Sequence, residues 1–246
     1  MKILAIDSSG LVASTALLDG DILVGEYTIH NKKTHSQTLL PMIRDMLAQA
    51  EVDIREMDAI AVAAGPGSFT GLRIGASTAK GLAQALQIPI VAVPTLEALS
   101  FNQMGREALV CPLMDARRNQ AYFGIYDVQK EMPKTLVEPS AAPVDEIVDK
   151  VNELGDPVVF LGDGVPVFFE TIKNNVKVPY QIAPEGVRYQ RAASVAELGK
   201  YYLAQNRGVP AGDFVPFYLR LSQAERERME REQKRAQEGE SEKPGF

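Results

Sequence analysis

Seven residues, Gly65-Pro66-Gly67-Ser68-Phe69-Thr70-Gly71, join an apolar β-branched run to a run with helical periodicity. Glycines at such a junction leave backbone N–H groups free, and the positive end of the helix dipole points at them, so an anion can be held there. The string is not a P-loop: the Gly-Lys-[Ser/Thr] ending is missing, and the next lysine is Lys80. Nor is it the dinucleotide fingerprint, because its last spacing is one residue too long. Gly65, Gly67, Ser68, Thr70 and Gly71 therefore read either as a structural turn or as a phosphate or nucleotide contact. Asp7, followed by Ser8 and Ser9, closes an apolar N-terminal run. A carboxylate at a strand end can hold a hydrated magnesium ion beside phosphates, or it can stabilise a turn. Gly162-Asp163-Gly164 ends a later apolar run and would line the same cleft in a phosphotransferase or ATPase.

Other chemistries are poorly supplied. His30 and His35 are the only histidines, five residues apart, and position 39 is Leu. A helical pair on a metal needs a four-residue spacing, and no His-Glu-x-x-His occurs. No Gly-x-Ser-x-Gly elbow is present for an acyl-transfer serine. Cys111 sits in an apolar run and reads as a buried strand residue, with no second cysteine for an internal disulfide. No catalytic residue and no metal site are expected in this chain.

The elements that must position these residues alternate between strand and helix. Strands are expected at Lys2–Asp7, at residues 12–18 and at Ile22–Ile29, with Asp19-Gly20-Asp21 as the turn between the last two. A helix over residues 37–50 carries Leu39, Leu40, Met42, Ile43, Met46 and Leu47 on a wide apolar arc, and Pro41 implies a start near Leu40 or a kink. A strand at residues 59–64 enters the glycine loop, and a helix over 72–86 follows. Leu72, Ala76, Ala79, Ala83 and Leu86 form its apolar stripe, Arg73, Ser77, Lys80, Gln84 and Gln87 its wet face, and Ile74, Thr78, Gly81 and Ala85 a side of mostly small residues. A strand at 88–93 and a short helix after Pro94 complete a first lobe, residues 1–106. Residues 108–115 then repeat the opening motif of an apolar strand ending in aspartate, with a second strand at 121–126, which suggests an internal duplication. A helix at Val144–Leu154, a strand at Val158–Leu161 and a helix at 194–204 fill a second lobe, 107–221. The whole is an α/β layer fold. Residues 222–246 form a charged tail: Ser222 and Glu225 fit a capping box, and Glu227 with Arg231 and Glu230 with Lys234 are four apart.

Composition sets further bounds. The chain has 246 residues, 46% hydrophobic and 24% charged, with a net charge of −6. No basic cluster outside the tail could grip phosphates over several contacts, so direct RNA binding by this chain is not expected. No apolar run approaches the roughly 20 residues of a membrane span, and Asp7 interrupts the N-terminal run too early for a signal peptide. A cytoplasmic location follows as the expectation.

The string from Gly65 to Gly75, Gly-Pro-Gly-Ser-Phe-Thr-Gly-Leu-Arg-Ile-Gly, resembles the signature of the TsaB (YeaZ) family. Ile3-Leu4-Ala5-Ile6-Asp7-Ser8-Ser9, His35-Ser36 with Leu39-Leu40-Pro41-Met42-Ile43, Asp115-Ala116-Arg117-Arg118-Asn119-Gln120-Ala121-Tyr122 and Pro216-Phe217-Tyr218-Leu219-Arg220 are similar to other family segments, in order along nearly the whole chain. The resemblance implies an actin/Hsp70/sugar-kinase-like (ASKHA) fold of two duplicated α/β lobes. It also implies a non-catalytic role: pairing with a related catalytic subunit, TsaD, and with the ATPase TsaE. Together these form N6-threonylcarbamoyladenosine beside the anticodon of tRNAs reading ANN codons. ATP and metal would then reside on the partner subunits, tRNA would be met only indirectly, and the chain would also form homodimers. A peptidase activity is the remaining alternative.

Both first-lobe helices carry more apolar or small surface than one sheet contact needs. The expected docking surface for the partner comprises Leu39, Leu40, Ile43, Met46 and Leu47 on the first helix and Ile74, Thr78, Gly81 and Ala85 on the second.

Overall fold

The computed structural model describes residues 1–31 and 33–219. Its first sheet is built from β1 (Lys2–Asp7), β2 (Ala13–Asp19), β3 (Ile22–Ile29), β4 (Ala59–Gly65) and β5 (Ile90–Pro94), with helices α1 (His35–Gln49), α2 (Phe69–Leu86) and α3 (Thr95–Phe101) between and after them. The second sheet uses β6 (Leu109–Asp115), β7 (Gln120–Asp127), β8 (Lys134–Pro143), β9 (Val158–Leu161) and β10 (Tyr180–Ile182), with α4 (Val144–Leu154) and α5 (Gly164–Asn175). After α6 (Glu185–Arg188) come α7 (Ala192–Ala204) and β11 (Gly208–Val209).

The duplication read from two aspartate-ended strands extends to both sheets. Strand order is β11-β5-β4-β1-β2-β3 in one and β10-β9-β6-β7-β8 in the other. β1 runs antiparallel to β2 and parallel to β4, just as β6 runs antiparallel to β7 and parallel to β9. Each first hairpin brings its aspartate to the same end of its sheet, and each parallel strand beside it ends in a left-handed glycine, Gly65 (φ 119°) or Gly162 (φ 100°).

Period-two alternation decides which helix covers which face. Leu4 and Ile6 of β1 meet α1 and α2 in one core, whereas Ile3 and Ala5 meet α7 on the opposite side. Gly199 makes that second contact close, since a Cβ there would lie 2.5 Å from Ala61 Cβ. In the second lobe, Ile147, Val148 and Val151 of α4 and Val165, Phe168 and Ile172 of α5 cover one face of the sheet. Leu96 and Leu99 of α3 press on the other, so α3 is shared between the lobes.

Three expectations need correction. The second lobe does not run through to residue 221: α7 packs on β1, β2, β4 and β5, and β11 joins β5. Helical periodicity in residues 194–204 identifies an apolar stripe but not the sheet that receives it. Of the two outcomes expected for Pro41, a helix start near Leu40 is excluded, because α1 already begins at His35. Pro41 sits inside the helix, where its missing N–H leaves the Gln37 carbonyl without the usual partner four residues on. Finally, Leu39, Ile43, Met46 and Leu47 offer no exposed face for docking, because they are buried against the lobe's own sheet, Leu39 alone of the four also reaching the groove between α1 and α2. The wide apolar arc of α1 is used internally, since β3 extends the sheet beneath it and Gly25 lets Met46 approach to 3.5 Å of a Cβ position there. Residues 222–246 lie outside the described residues.

Candidate functional site

The glycine loop is packed against the chain itself. Ser68 N–H donates to the Ser9 carbonyl (2.7 Å), and Ser8 Oγ donates to the Gly71 carbonyl (2.9 Å). A Cβ on Gly67 would lie 2.5 Å from Ser9 O, one on Gly71 2.0 Å from Ser8 O, and one on Gly75 2.6 Å from Ser8 Oγ. Three glycines thus let α2 and its leading loop sit directly on the turn after β1. Ser68 is the N-cap of α2 and accepts from Gly71 N–H at 3.3 Å. The Ser8 and Ser9 carbonyl oxygens face the missing Cβ positions of Gly71 and Gly67, so the loop packs backbone closely against backbone.

A third segment closes over this junction. Phe217 N–H donates to the Ala64 carbonyl at 2.7 Å, and a Cβ on Gly65 would stand 2.1 Å from Phe217 O. The Gly65 motif and the Pro216-Phe217-Tyr218 motif, about 150 residues apart in sequence, are therefore parts of one clasp. Lys80, notable in the sequence only as the first lysine after the loop, donates through Nζ to the carbonyls of Phe214 (2.9 Å) and Gly212 (3.3 Å).

Asp7, at the end of β1, is 1% exposed. Its Oδ1 accepts from Ser9 N–H (2.9 Å) and Ser9 Oγ (2.6 Å), while buried Oδ2 has no hydrogen-bond partner. Burial pushes its pKa up to about 6, against the Ser9 hydrogen bonds that lower it; the charge of His35 lowers it further and that of Asp163 raises it. Asp163, the residue before α5, accepts from Asp115 N–H at 3.1 Å. Burial raises it to about 6 as well, opposed by that N–H, with Asp115 adding repulsion and Arg117 attraction. Each lobe thus holds one costly buried carboxylate, and the charge of Asp163 is felt at Asp7. Gln190 escaped the sequence reading: it is 1% exposed, both ends of its amide lack partners, and it lies over Gly10, where a Cβ would be 2.3 Å from Nε2. A glutamine in a loop carries no sequence signal for this.

Arg117 and Arg118 occupy the β6–β7 turn, with Asn119, all three in the left-handed region (φ 64°, 56° and 57°). The Arg117 side chain is exposed and pairs with Asp115 at 3.2 Å. The histidines serve separate places: His30 packs on Tyr189, and His35 Nε2–H donates to the Gly10 carbonyl at 2.9 Å. Cys111 is buried in β6, and burial raises its thiol far above the usual range. Among the described residues, no group of three or more His, Cys, Asp or Glu is placed to hold a metal, and no helix is long and apolar enough to cross a membrane.

On the outer side of the first lobe, α1 and α2 flank a groove of about 470 Å³. Leu39 and Leu40, with His35 and Ser36, form one wall, and Phe69, Arg73, Ile74 and Thr78 stand opposite. Leu40 is 51% exposed although apolar. Gly81 and Ala85 continue the small-residue side of α2 into solvent, and a Cβ on Gly81 would meet nothing within 4 Å. Of the expected docking set, Leu40, Ile74, Thr78, Gly81 and Ala85 thus remain accessible.

A family model described as TsaD, tRNA N6-adenosine threonylcarbamoyltransferase, matches residues 23–228. The tRNA threonylcarbamoyladenosine biosynthesis protein TsaB of Bacillus subtilis is 34% identical over 225 residues, 92% of this chain and 96% of that protein. The chain belongs to the TsaB family. The Haemophilus influenzae TsaB protein is 29% identical over 89% of this chain and 94% of its own length. The solved structure of YeaZ from Pseudomonas aeruginosa superposes with a TM-score of 0.75 at 30% identity, covering 89% of this chain and 99% of that one. A second Pseudomonas aeruginosa structure, described as an uncharacterized protein with similarity to peptidase YEAZ, gives 0.77 at the same identity and coverage. A (R)-2-hydroxyglutaryl-CoA dehydratase component from Acidaminococcus fermentans shares the fold at 10% identity (TM-score 0.51). Together with the duplicated sheets, this gives the chain the ASKHA-like fold and a place in a family of threonylcarbamoyladenosine biosynthesis proteins.

Proposed function

We propose that this chain is the non-catalytic docking subunit of a cytoplasmic complex that forms N6-threonylcarbamoyladenosine beside the anticodon of tRNAs reading ANN codons. It pairs with a TsaD-type catalytic subunit, acts with a TsaE-type ATPase, and self-associates through the same face. The ATP and metal of the reaction sit on those partners, and tRNA is contacted through them. The observation that carries the reading is the groove between α1 and α2, where Leu40 stands in solvent beside the small-residue side of α2. Small side chains permit close helix approach, and the exposed leucine beside them supplies apolar surface that a partner helix would bury. The net charge of −6 gives the chain no strong electrostatic hold on a nucleic acid.

The position of each α1 residue makes a sharp test. Leu40→Asp is expected to leave the thermal midpoint unchanged and to abolish co-purification with the TsaD-type subunit. Met46→Asp, at a position 2% exposed in the core, is expected to prevent folding, since an isolated buried charge costs several kcal/mol, about the whole stability of a domain. Intact pairing by folded Leu40→Asp would overturn the docking reading. The second reading, an ATPase or phosphotransferase, draws on Asp7 and Asp163; ATP turnover by the isolated chain would favour it.

A further inference from the structure

The chain passes between the two lobes twice, once from α3 into β6 and once from β10 into α7. The second passage is anchored at both ends. On the second-lobe side, the Arg188 carbonyl accepts from Gly162 N–H at 2.7 Å, and Arg188 Nε donates to the Ala183 carbonyl at 2.9 Å. On the first-lobe side, Ala192 N–H donates to Ser14 Oγ and Ala193 N–H to Glu26 Oε1, both at 2.9 Å, and Arg191 Nε donates to Glu26 Oε2 at 3.0 Å. Tyr189 and Gln190 alone separate these anchors. A single side chain then ties the two passages together. Asn102, which follows α3, donates through Nδ2 to the carbonyls of Val187 (3.2 Å) and Tyr189 (2.9 Å), and its Oδ1 accepts from Ser194 Oγ at 2.6 Å. Both of its amide hydrogens and its carbonyl oxygen are engaged.

We infer that Asn102 fixes the angle between the lobes, and that the two lobes move as one body whether or not a ligand is present. In two-lobed proteins that close on a ligand, a few residues of the connecting segments absorb the change in backbone angles. The connections of this chain lack that freedom. α3 packs on β4 and β5 of one sheet and on β6 and β7 of the other. Its Ala98 lies in the first-lobe core, and its Leu96 and Leu99 lie in the core beneath the second sheet. Turning one lobe against the other pulls Asn102 away from the second passage or from α7. A buried polar group deprived of its partner costs more than a made hydrogen bond returns. Gln190 adds a steric stop: it is enclosed against the first lobe at Gly10, while Arg188, two residues earlier, is bonded to the second lobe. The inference does not rest on the docking reading. It distinguishes this chain from an enzyme that closes on its substrate.

Pulsed electron spin resonance on the full-length protein tests it, with one nitroxide on each lobe, at Asp45→Cys on α1 and Asp149→Cys on α4. Both positions are exposed, and buried Cys111 stays unlabelled. The chain with native Asn102 is expected to give one narrow distance, the same with and without magnesium ATP. Asn102→Ala is expected to spread that distance, because losing three hydrogen bonds raises the population of other lobe angles by at least about tenfold. If Asn102→Ala does not fold, Ser194→Ala removes the Oδ1 bond alone and is expected to give a smaller spread of the same kind. A narrow distance retained by folded Asn102→Ala, or by Ser194→Ala in its place, would overturn the inference. So would a broad distance with native Asn102, or one that shifts when magnesium ATP is added.

Discussion

Asp7→Asn is expected to stabilise the protein at neutral pH, by an amount that grows with pH. Asp7 is buried, and its pKa rises from 3.8 to about 6. A carboxyl whose folded-state pKa is raised binds its proton more tightly in the folded state than in the unfolded chain. Stability is therefore lost as pH rises from about 4 through about 6, and the loss is complete above that. A rise of this size corresponds to about 3 kcal/mol at pH 7.5. Asparagine keeps an oxygen to accept from Ser9 N–H and Oγ. It leaves its own N–H₂ where Oδ2 now lacks a partner, at a cost of about 1–3 kcal/mol. That cost does not vary with pH. The stability difference between variant and wild type should thus increase by about 2 kcal/mol between pH 4.5 and 7.5. Urea titrations at both pH values check it; a difference that does not change with pH would mean that Asp7 is not the enclosed carboxylate described. Comparing variant with wild type cancels groups with the opposite trend, such as Asp53, which the Arg55 guanidinium holds down at about 2.

Gly71→Ala is expected to cost about 3 kcal/mol or more, although the site is helical and alanine is the better helix former. The new Cβ would lie 2.0 Å from the Ser8 carbonyl oxygen, and backbone on backbone leaves no flexible group to yield. Separating the pair would also break the Ser8 Oγ hydrogen bond to Gly71 O, and with it part of the contact that holds the turn after β1. Gly81→Ala, ten residues on in the same helix, meets nothing within 4 Å and should add up to about 1 kcal/mol of helix propensity. The opposite signs of one substitution on one helix, read as thermal midpoints, separate packing from propensity. Equal effects at the two sites would contradict the clasp geometry.

The fold was legible where local pattern and final environment agree. β3, α4 and β9 fall at their expected residues, since turn signals and periodicity bound each of them. β8 escaped because Pro139 and Pro143 argue against a strand, yet β8 is a sheet edge, where a missing donor is tolerated. α5 escaped because Val165-Pro166-Val167-Phe168-Phe169 has strand-like composition and becomes helical only by covering the second sheet. At the candidate site, the sequence marked Asp7, Ser8, Ser9 and the glycines but not their roles. Glycine spacing is the same whether an N–H faces a phosphate or a carbonyl faces a missing Cβ, and only the position of the β1 turn separates the two. From sequence the α1 stripe looks too wide for one sheet, because the reach of β3 beneath it is a tertiary fact. Gln190 and the Pro216-Phe217-Tyr218 segment depend on contacts across more than 100 residues and leave no local trace.

Reconstitution tests the central claim most directly. A cell extract competent for the modification is depleted of this chain and supplied with the wild-type chain, the Leu40→Asp variant or buffer, together with an ANN-reading tRNA, and threonylcarbamoyladenosine is measured by nucleoside mass spectrometry. Modified nucleoside is expected only when the chain is present, with background levels for Leu40→Asp and none from the chain alone. Undiminished product when the chain is omitted, or product from the chain by itself, would contradict the docking role.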